Sequence, residues 1–249
     1  DDKVYKPKEV LSRISLAKNN LITSEAYRND PSITADDSHS RKPRIADLYS
    51  LYQKKLKAAG VMDFDDILVN MNILLKENRE ACIEISSRFS YIMVDEYQDT
   101  NYAQYLILKR LAGVHRNLAV VGDDSQSIYA FRGARAENIL RFRKDYPDAH
   151  VFRLEQNYRS TQNIVNAANS LIAKNEHRID KTCFSKAPEG EKIHIIKAFN
   201  EQDEAFLTAS SIAERVYGDR APYGSFAILY RTNAQSRAFE ESLRRRNIP

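Results

Sequence analysis

Two adjacent carboxylates at the end of an apolar run give this sequence its first chemical possibility. In the stretch YIMVDEYQD, four apolar residues lead into Asp95 and Glu96. A short buried strand would carry both side chains to its carboxyl end. Such a pair suits nucleotide hydrolysis: one carboxylate holds Mg²⁺, directly or through water, and the other orients or deprotonates the attacking water. The alternative is a solvated acidic turn. The apolar run before the pair, and Gln98-Asp99 after it, weigh against that.

Three further clusters follow apolar runs. In LAVVGDDSQSIYAFRGA the run ends in Gly122-Asp123-Asp124, followed by Gln126 and then Tyr129, Phe131 and Arg132. Glutamine can bond a phosphate oxygen or a water without adding charge. Two aromatics two residues apart, with an arginine beside them, suit stacked bases and a phosphate contact. The same spacing also fits an amphipathic loop whose Tyr129 and Phe131 pack in the core. In RLEQNYRST, Tyr158 can stack on a purine and Arg159 can supply a cation to a phosphoryl group. A surface ion pair is the alternative for Arg159. In AILYRTNAQSR, Arg231 and Asn233 end a run and can touch a nucleic-acid backbone. MDFDDI contributes Phe64, by default a core aromatic at a helix start.

The elements that must hold these residues are legible from periodicity. Helical spacing of apolar residues covers 8–28 and 44–59, the latter closed by Gly60. Residues 29–43, polar and with two prolines, read as a loop. Asp63 opens another helix, with Asp65 and Asp66 in its first turn. Short apolar runs at 91–94, 118–121, 151–154, 193–198 and 226–230 then alternate with helical patterns at 101–112, 136–145, 161–175, 201–217 and 234–246. That alternation predicts an α/β fold with parallel strands, where ligands lie beyond the strands' carboxyl ends.

Composition sets the outer bounds. The 249 residues are 43% hydrophobic and 29% charged, with a net charge of +4, as in a folded soluble chain. The charge is unevenly spread, at +4 over residues 1–60, −4 over 61–110 and +3 over 111–185. The carboxylate chemistry therefore falls in an acidic block flanked by basic stretches. Two cysteines, Cys82 and Cys183, are too few for a disulfide framework or a zinc site and read as reduced thiols. No apolar run approaches the ~18 residues of a membrane span, so the expected compartment is cytoplasmic. None of the seven glycines precedes a lysine, so these residues hold no G-x-x-x-x-G-K-[ST] loop, and they hold no G-x-G-x-x-G either.

Taken together, VDEYQDTN, VGDDSQSIYAFRGA, LEQNYRST and LYRTNAQSR, in this order and spacing, closely resemble the superfamily 1 DNA helicases of the UvrD/PcrA/Rep type. MDFDDI fits the same pattern, and the resemblance runs from about Lys8 to Pro249. It implies parts of two RecA-like parallel-sheet motor domains of the P-loop NTPase type. Residues 1–60 would be a helical insertion of the first motor domain, 61–148 its rear part, and 149–249 the opening part of the second.

The resemblance also implies roles. Asp95 would coordinate Mg²⁺, and Glu96, beside it on the metal, would activate the hydrolytic water. Gln126 would sense the γ-phosphate of ATP. Tyr158 would stack on adenine, and Arg159 would be an arginine finger. Phe64, Tyr129, Phe131, Arg132, Arg231 and Asn233 would contact DNA. Several family members carry Trp where this chain has Phe131, and Ser125 stands where an acidic residue is frequent. The family's glycine-rich phosphate loop and its later motifs do not occur in these residues. The expectation is therefore an internal piece of a longer 3′→5′ helicase acting on single-stranded and partly duplex DNA, inactive as an ATPase by itself. The rival reading is a truncated, non-hydrolysing nucleic-acid-binding module of the same fold.

Overall fold

The structure is a computed structural model and describes residues 3–176 and 178–249. It divides into two compact units. The first comprises residues up to 155 together with 169–183, and the second comprises 156–168 with 184–249.

The first unit begins with helices α1 (Pro7–Asn19), α2 (Ser24–Asn29), α3 (Pro31–His39), α4 (Ile45–Ala58), α5 (Phe64–Glu77) and α6 (Arg79–Ser87). Residues 8–28 thus form two helices and not one. Leu21 adopts a left-handed backbone (φ 58°). Thr23 then caps α2, its hydroxyl accepting from the Ala26 N–H at 3.2 Å. The expected loop at 29–43 also gives way to helix α3. Asp30 accepts from the N–H groups of Ser32 and Ile33, and Pro31 sits at the first helical position. A proline there lacks only an N–H that the helix leaves unpaired anyway, so it starts a helix instead of breaking one. Gly60 ends α4 at φ 65°, the left-handed position its type predicts.

Ile14, Ala17, Tyr27, Ile45, Ala46 and Tyr49 pack as the core of this helical front. Beneath them run buried polar pairs. Lys18, only 1% exposed, reaches Asp63 at 2.7 Å and Asp66 at 2.8 Å. Tyr52 donates to Asp63 and Gln53 to Asp66. Asp37, also buried, accepts from Arg13 and from the Tyr27 hydroxyl. Burial first, and the Asp37 bond next, push the Tyr27 hydroxyl up to about 12.

After α6, strand β1 (Ile92–Val94) pairs in parallel with β2 (Leu118–Val120), matching Ile92 with Leu118 and Val94 with Val120. Helix α7 (Tyr102–Leu111) is the crossover, begun by a capping box between Asn101 and Gln104. Short helices α8 (Glu137–Leu140) and α9 (Phe142–Asp145) follow. Beyond them come β3 (Gln156–Asn157), α10 (Gln162–Ile172) and β4 (Phe184–Ser185), with β3 and β4 parallel. Helices α11 (Glu201–Gly218) and α12 (Ser236–Arg245) complete the second unit.

The strand–helix alternation and the parallel pairing of the first two expected strands are therefore present. Residues 151–154, 193–198 and 226–230 are not strands. An apolar run becomes a strand only when a neighbour completes its ladder. These three have none among the described residues, and Ile195 and Leu229 stand 94% and 95% exposed. The two-residue strands β3 and β4 fall outside every apolar run, so periodicity does not reveal them. Both cysteines are free. Among the described residues no helix is long and apolar enough to cross a membrane.

Candidate functional site

Parallel pairing puts the carboxyl ends of β1 and β2 side by side. Two further backbone bonds extend the join: Val121 N–H donates to Val94 O at 2.8 Å, and Tyr97 N–H to Val121 O at 2.9 Å. Asp95-Glu96 and Gly122-Asp123-Asp124 thus emerge next to each other. The chain turns sharply at Glu96, whose backbone is left-handed (φ 48°, ψ 42°), and a 3₁₀ turn over Tyr97–Asp99 follows. A non-glycine residue there is uncommon and marks a locally constrained backbone. Tyr97 is buried edge-on against Phe142, with centroids 5.7 Å apart, which anchors the turn.

Both carboxylates face solvent. Asp95 Oδ1 accepts the Glu96 N–H at 2.9 Å, and Glu96 Oε2 accepts from Gln98 Nε2 at 2.8 Å. Gln98 Oε1 in turn accepts the Asp123 N–H at 2.9 Å, and Asp123 Oδ2 accepts from Gln126 Nε2 at 2.9 Å. One hydrogen-bonded chain therefore links Glu96 to Gln126 across the two strand ends.

Lys181 pairs with Asp123 and, at 3.2 Å, with Asp124, while the Ile179 N–H donates to Asp124. For Asp123, burial acts to raise the pKa. Lys181, Gln126 and the Ser125 N–H outweigh it and hold the carboxyl below its ordinary value. Lys181 shows the converse: burial lowers its pKa, and the two aspartates more than restore it. Sequence reasoning missed Lys181, which lies 58 positions from Asp123 with no local pattern to mark it.

Tyr129 and Phe131 are not in the core. Their centroids lie 5.9 Å apart with planes tilted by 35°. Arg132 sits 5.3 Å from the first ring and 5.6 Å from the second. Phe131 is 69% exposed. Gly133 (φ 87°) closes that turn. Phe64 is not a core aromatic either: it is 90% exposed on the first turn of α5. Asp63 and Asp66 cap that turn reciprocally, and Lys18 ties both down.

In the second unit, Tyr158 and Arg159 follow β3 and both are exposed. Asn157 Oδ1 accepts the N–H groups of Arg159 and Ser160 at 3.0 and 2.8 Å, shaping the turn that presents them. Arg231 and Asn233, also exposed, flank a turn in which Gln235 Oε1 accepts the N–H groups of Arg231 and Thr232.

The described residues gather no cluster of three or more His, Cys, Asp or Glu side chains suited to a metal. Two exposed carboxylates are nonetheless a donor set that fits Mg²⁺, which keeps several waters and takes one or two carboxylates plus phosphate oxygens.

Comparison with known proteins matches the sequence to family models. A model of the UvrD/REP helicase N-terminal domain matches residues 1–147, and a model of the UvrD-like helicase C-terminal domain matches residues 152–249. The chain belongs to the UvrD/REP helicase family. Over all of its 249 residues it is 43% identical to the ATP-dependent DNA helicase PcrA of Leuconostoc citreum, covering 32% of that protein. It is 44% identical to PcrA of Staphylococcus aureus strain Mu50 over the same length, covering 33%. The chain thus spans about a third of the length of the curated relatives it matches.

Proposed function

We propose that these residues form part of the motor of an ATP-dependent DNA helicase. It would move 3′→5′ on a single strand, unwind partly duplex DNA, and serve repair or replication in the cytoplasm. The observation that carries this reading is the pairing of β1 with β2, which sets exposed Asp95 and Glu96 one hydrogen-bonded chain away from Gln126. The family match supports it. In this reading residues 1–60 are a helical insertion of the first RecA-like motor domain, 61–148 its rear part, and 149–249 the opening of the second.

Asp95 and Glu96 are the residues that would hold Mg²⁺, which would supply neutralisation of phosphate charge. Glu96 accepts the proton of the attacking water. Gln126, neutral and exposed, bonds the γ-phosphate and is steadied by Asp123. Tyr158 offers a face to adenine, and Arg159 stabilises charge that develops on the transferred phosphoryl group. Phe64, Tyr129 and Phe131 offer faces to bases, and Arg132, Arg231 and Asn233 contact the strand.

The test uses the full-length protein on duplexes with a 3′ or a 5′ single-stranded tail. Strand separation from the 3′-tailed duplex alone, and only with ATP and Mg²⁺, is expected. Unwinding from the 5′ tail, or without nucleotide, would sink the reading. The 249-residue chain by itself, which includes no G-K-[ST] loop, is expected to show no DNA-stimulated ATP hydrolysis.

A further inference from the structure

Gln98 sits between the two strand ends and is 1% exposed, yet the mechanism above gives it no task. Both ends of its amide are engaged. Its Oε1 accepts the backbone N–H of Asp123 at 2.9 Å, and its Nε2 donates to Glu96 Oε2 at 2.8 Å. A backbone N–H can only donate, so it dictates which end of the amide is oxygen. The NH₂ end is thereby aimed at Glu96 and accepts no partner but an acceptor.

The slot around this amide is close-fitting. A Cβ placed on Gly122 would lie 2.6 Å from Gln98 Oε1 and 3.0 Å from Ile139 Cδ1. The absence of a side chain at position 122 is what lets the amide lie against β2. Glu96, by contrast, is exposed and has rotatable side-chain bonds whose freedom must be lost before the carboxylate can act in one direction.

We propose that Gln98 is a positioning residue for the hydrolytic reaction. It holds the Glu96 carboxylate in its working orientation and, through Asp123, ties that carboxylate to Gln126. The inference rests on the reading of Glu96 as the base. Misplacing a reacting group by about 1 Å can cost on the order of 10²-fold in rate.

The experiment compares Gln98→Met, Gln98→Glu, Glu96→Gln and the double variant Glu96→Gln/Gln98→Met in the full-length protein. Met keeps the length and loses both bonds. Glu keeps an acceptor for the Asp123 N–H and loses the donor to Glu96. The readouts are kcat and KM for ATP at saturating single-stranded DNA, with kcat expressed per nucleotide-binding site so that misfolded protein does not count. Both Gln98 variants are expected to lose between tenfold and about 10²-fold in kcat with KM little changed. Gln98→Met should cost far less in the Glu96→Gln background than in the wild type, because Gln98 acts chiefly through the carboxylate. Wild-type kcat in Gln98→Glu, or an equal loss from Gln98→Met with and without Glu96, overturns the proposal. Wild-type turnover in Glu96→Gln overturns instead the assignment of Glu96 on which it stands.

Discussion

Lys18 and Asp66 are buried against each other in the helical front, whereas Asp95 and Glu96, some thirty positions further on, stand in solvent. Both places are acidic, and both are braced by hydrogen bonds. They differ in what braces them. In the front, a buried ammonium meets two carboxylates, and the cost of taking charge out of water is offset by matched partners. At the strand ends the carboxylates are held from one side by a neutral amide and a backbone N–H, which leaves oxygen atoms open to a ligand. Charge that is buried and matched maintains shape, and charge that is exposed and steadied by neutral groups stays available for chemistry.

The strongest way to break this contrast is Arg159→Ala in the full-length protein. An exposed arginine at a turn has little packing to lose, so melting should hardly change. Turnover should fall by about 10³–10⁵-fold, the worth of an arginine finger. Arg159→Lys should recover little, because an ammonium lacks the planar fork. Calorimetry and single-turnover hydrolysis decide this. Unfolding with spared turnover would make Arg159 a structural ion-pair residue.

Next in size, Glu96→Gln should reduce kcat by about 10²–10⁴-fold while nucleotide binding survives, since the amide keeps the shape and loses the base. Equal losses in binding, measured by titration with a fluorescent ATP analogue, would place Glu96 with the shape-keeping charges.

The mirror experiment is Lys18→Met. It leaves buried Asp66 and half-buried Asp63 without their ammonium partner and should cost about 3–5 kcal/mol in urea denaturation. A loss no larger than that of a surface substitution would erase the distinction between the two regions.

A pH series sharpens it further. Burial alone would raise the Asp63 pKa. The Lys18 ammonium, the Asp66 N–H and the Tyr52 hydroxyl outweigh it and hold the carboxyl below its ordinary value of 3.8. A depressed carboxyl stabilises the fold fully above its unfolded pKa and loses that contribution as pH falls through the folded value. Lys18→Met should therefore flatten the loss of stability below about pH 4. An unchanged acid limb would show that Asp63 is not held by Lys18.

The smallest effect concerns the exposed rings. Tyr129→Ala and Phe131→Ala should each weaken binding of oligo-dT by roughly 1–3 kcal/mol, with affinity falling as salt rises. Fluorescence anisotropy at two salt concentrations measures both. Binding indifferent to the two changes together would remove the rings from the DNA surface.

What was legible in the sequence follows the range of the contacts. The Asp95-Glu96 pair, the Tyr129–Arg132 cluster and the Asp63 cap of α5 are each local in sequence and legible from spacing, whereas the distant residues that anchor them, Phe142 and Lys18, are not. Helix α3 is hidden because the polar stretch 29–43 carries two prolines, ordinarily loop signals, of which Pro31 in fact takes the first helical position. The runs at 151–154, 193–198 and 226–230 look like strands in the sequence because an apolar pattern records a preference for burial and not the presence of a ladder partner. Lys18 and Lys181 left no trace, since their carboxylates lie 45 and 58 positions away. Gln98 was visible as a letter in the motif. Its use was not, because its second partner, the Asp123 N–H, lies just past the end of β2, 25 positions on.

The burial of Lys18 also has a consequence for the order of assembly. The reciprocal cap of α5 joins residues three apart, so it can close as soon as Asp63 and Asp66 exist in the chain. The ammonium comes from α1, 45 positions earlier, and closing that longer loop costs entropy before any contact rewards it. A folding chain would therefore start α5 early and seal Lys18 late. Kinetically, Lys18→Met should speed unfolding far more than it slows refolding, the mark of a contact missing from the transition state. Stopped-flow measurement of both rates tests that order, and slowed refolding with unchanged unfolding would reverse it.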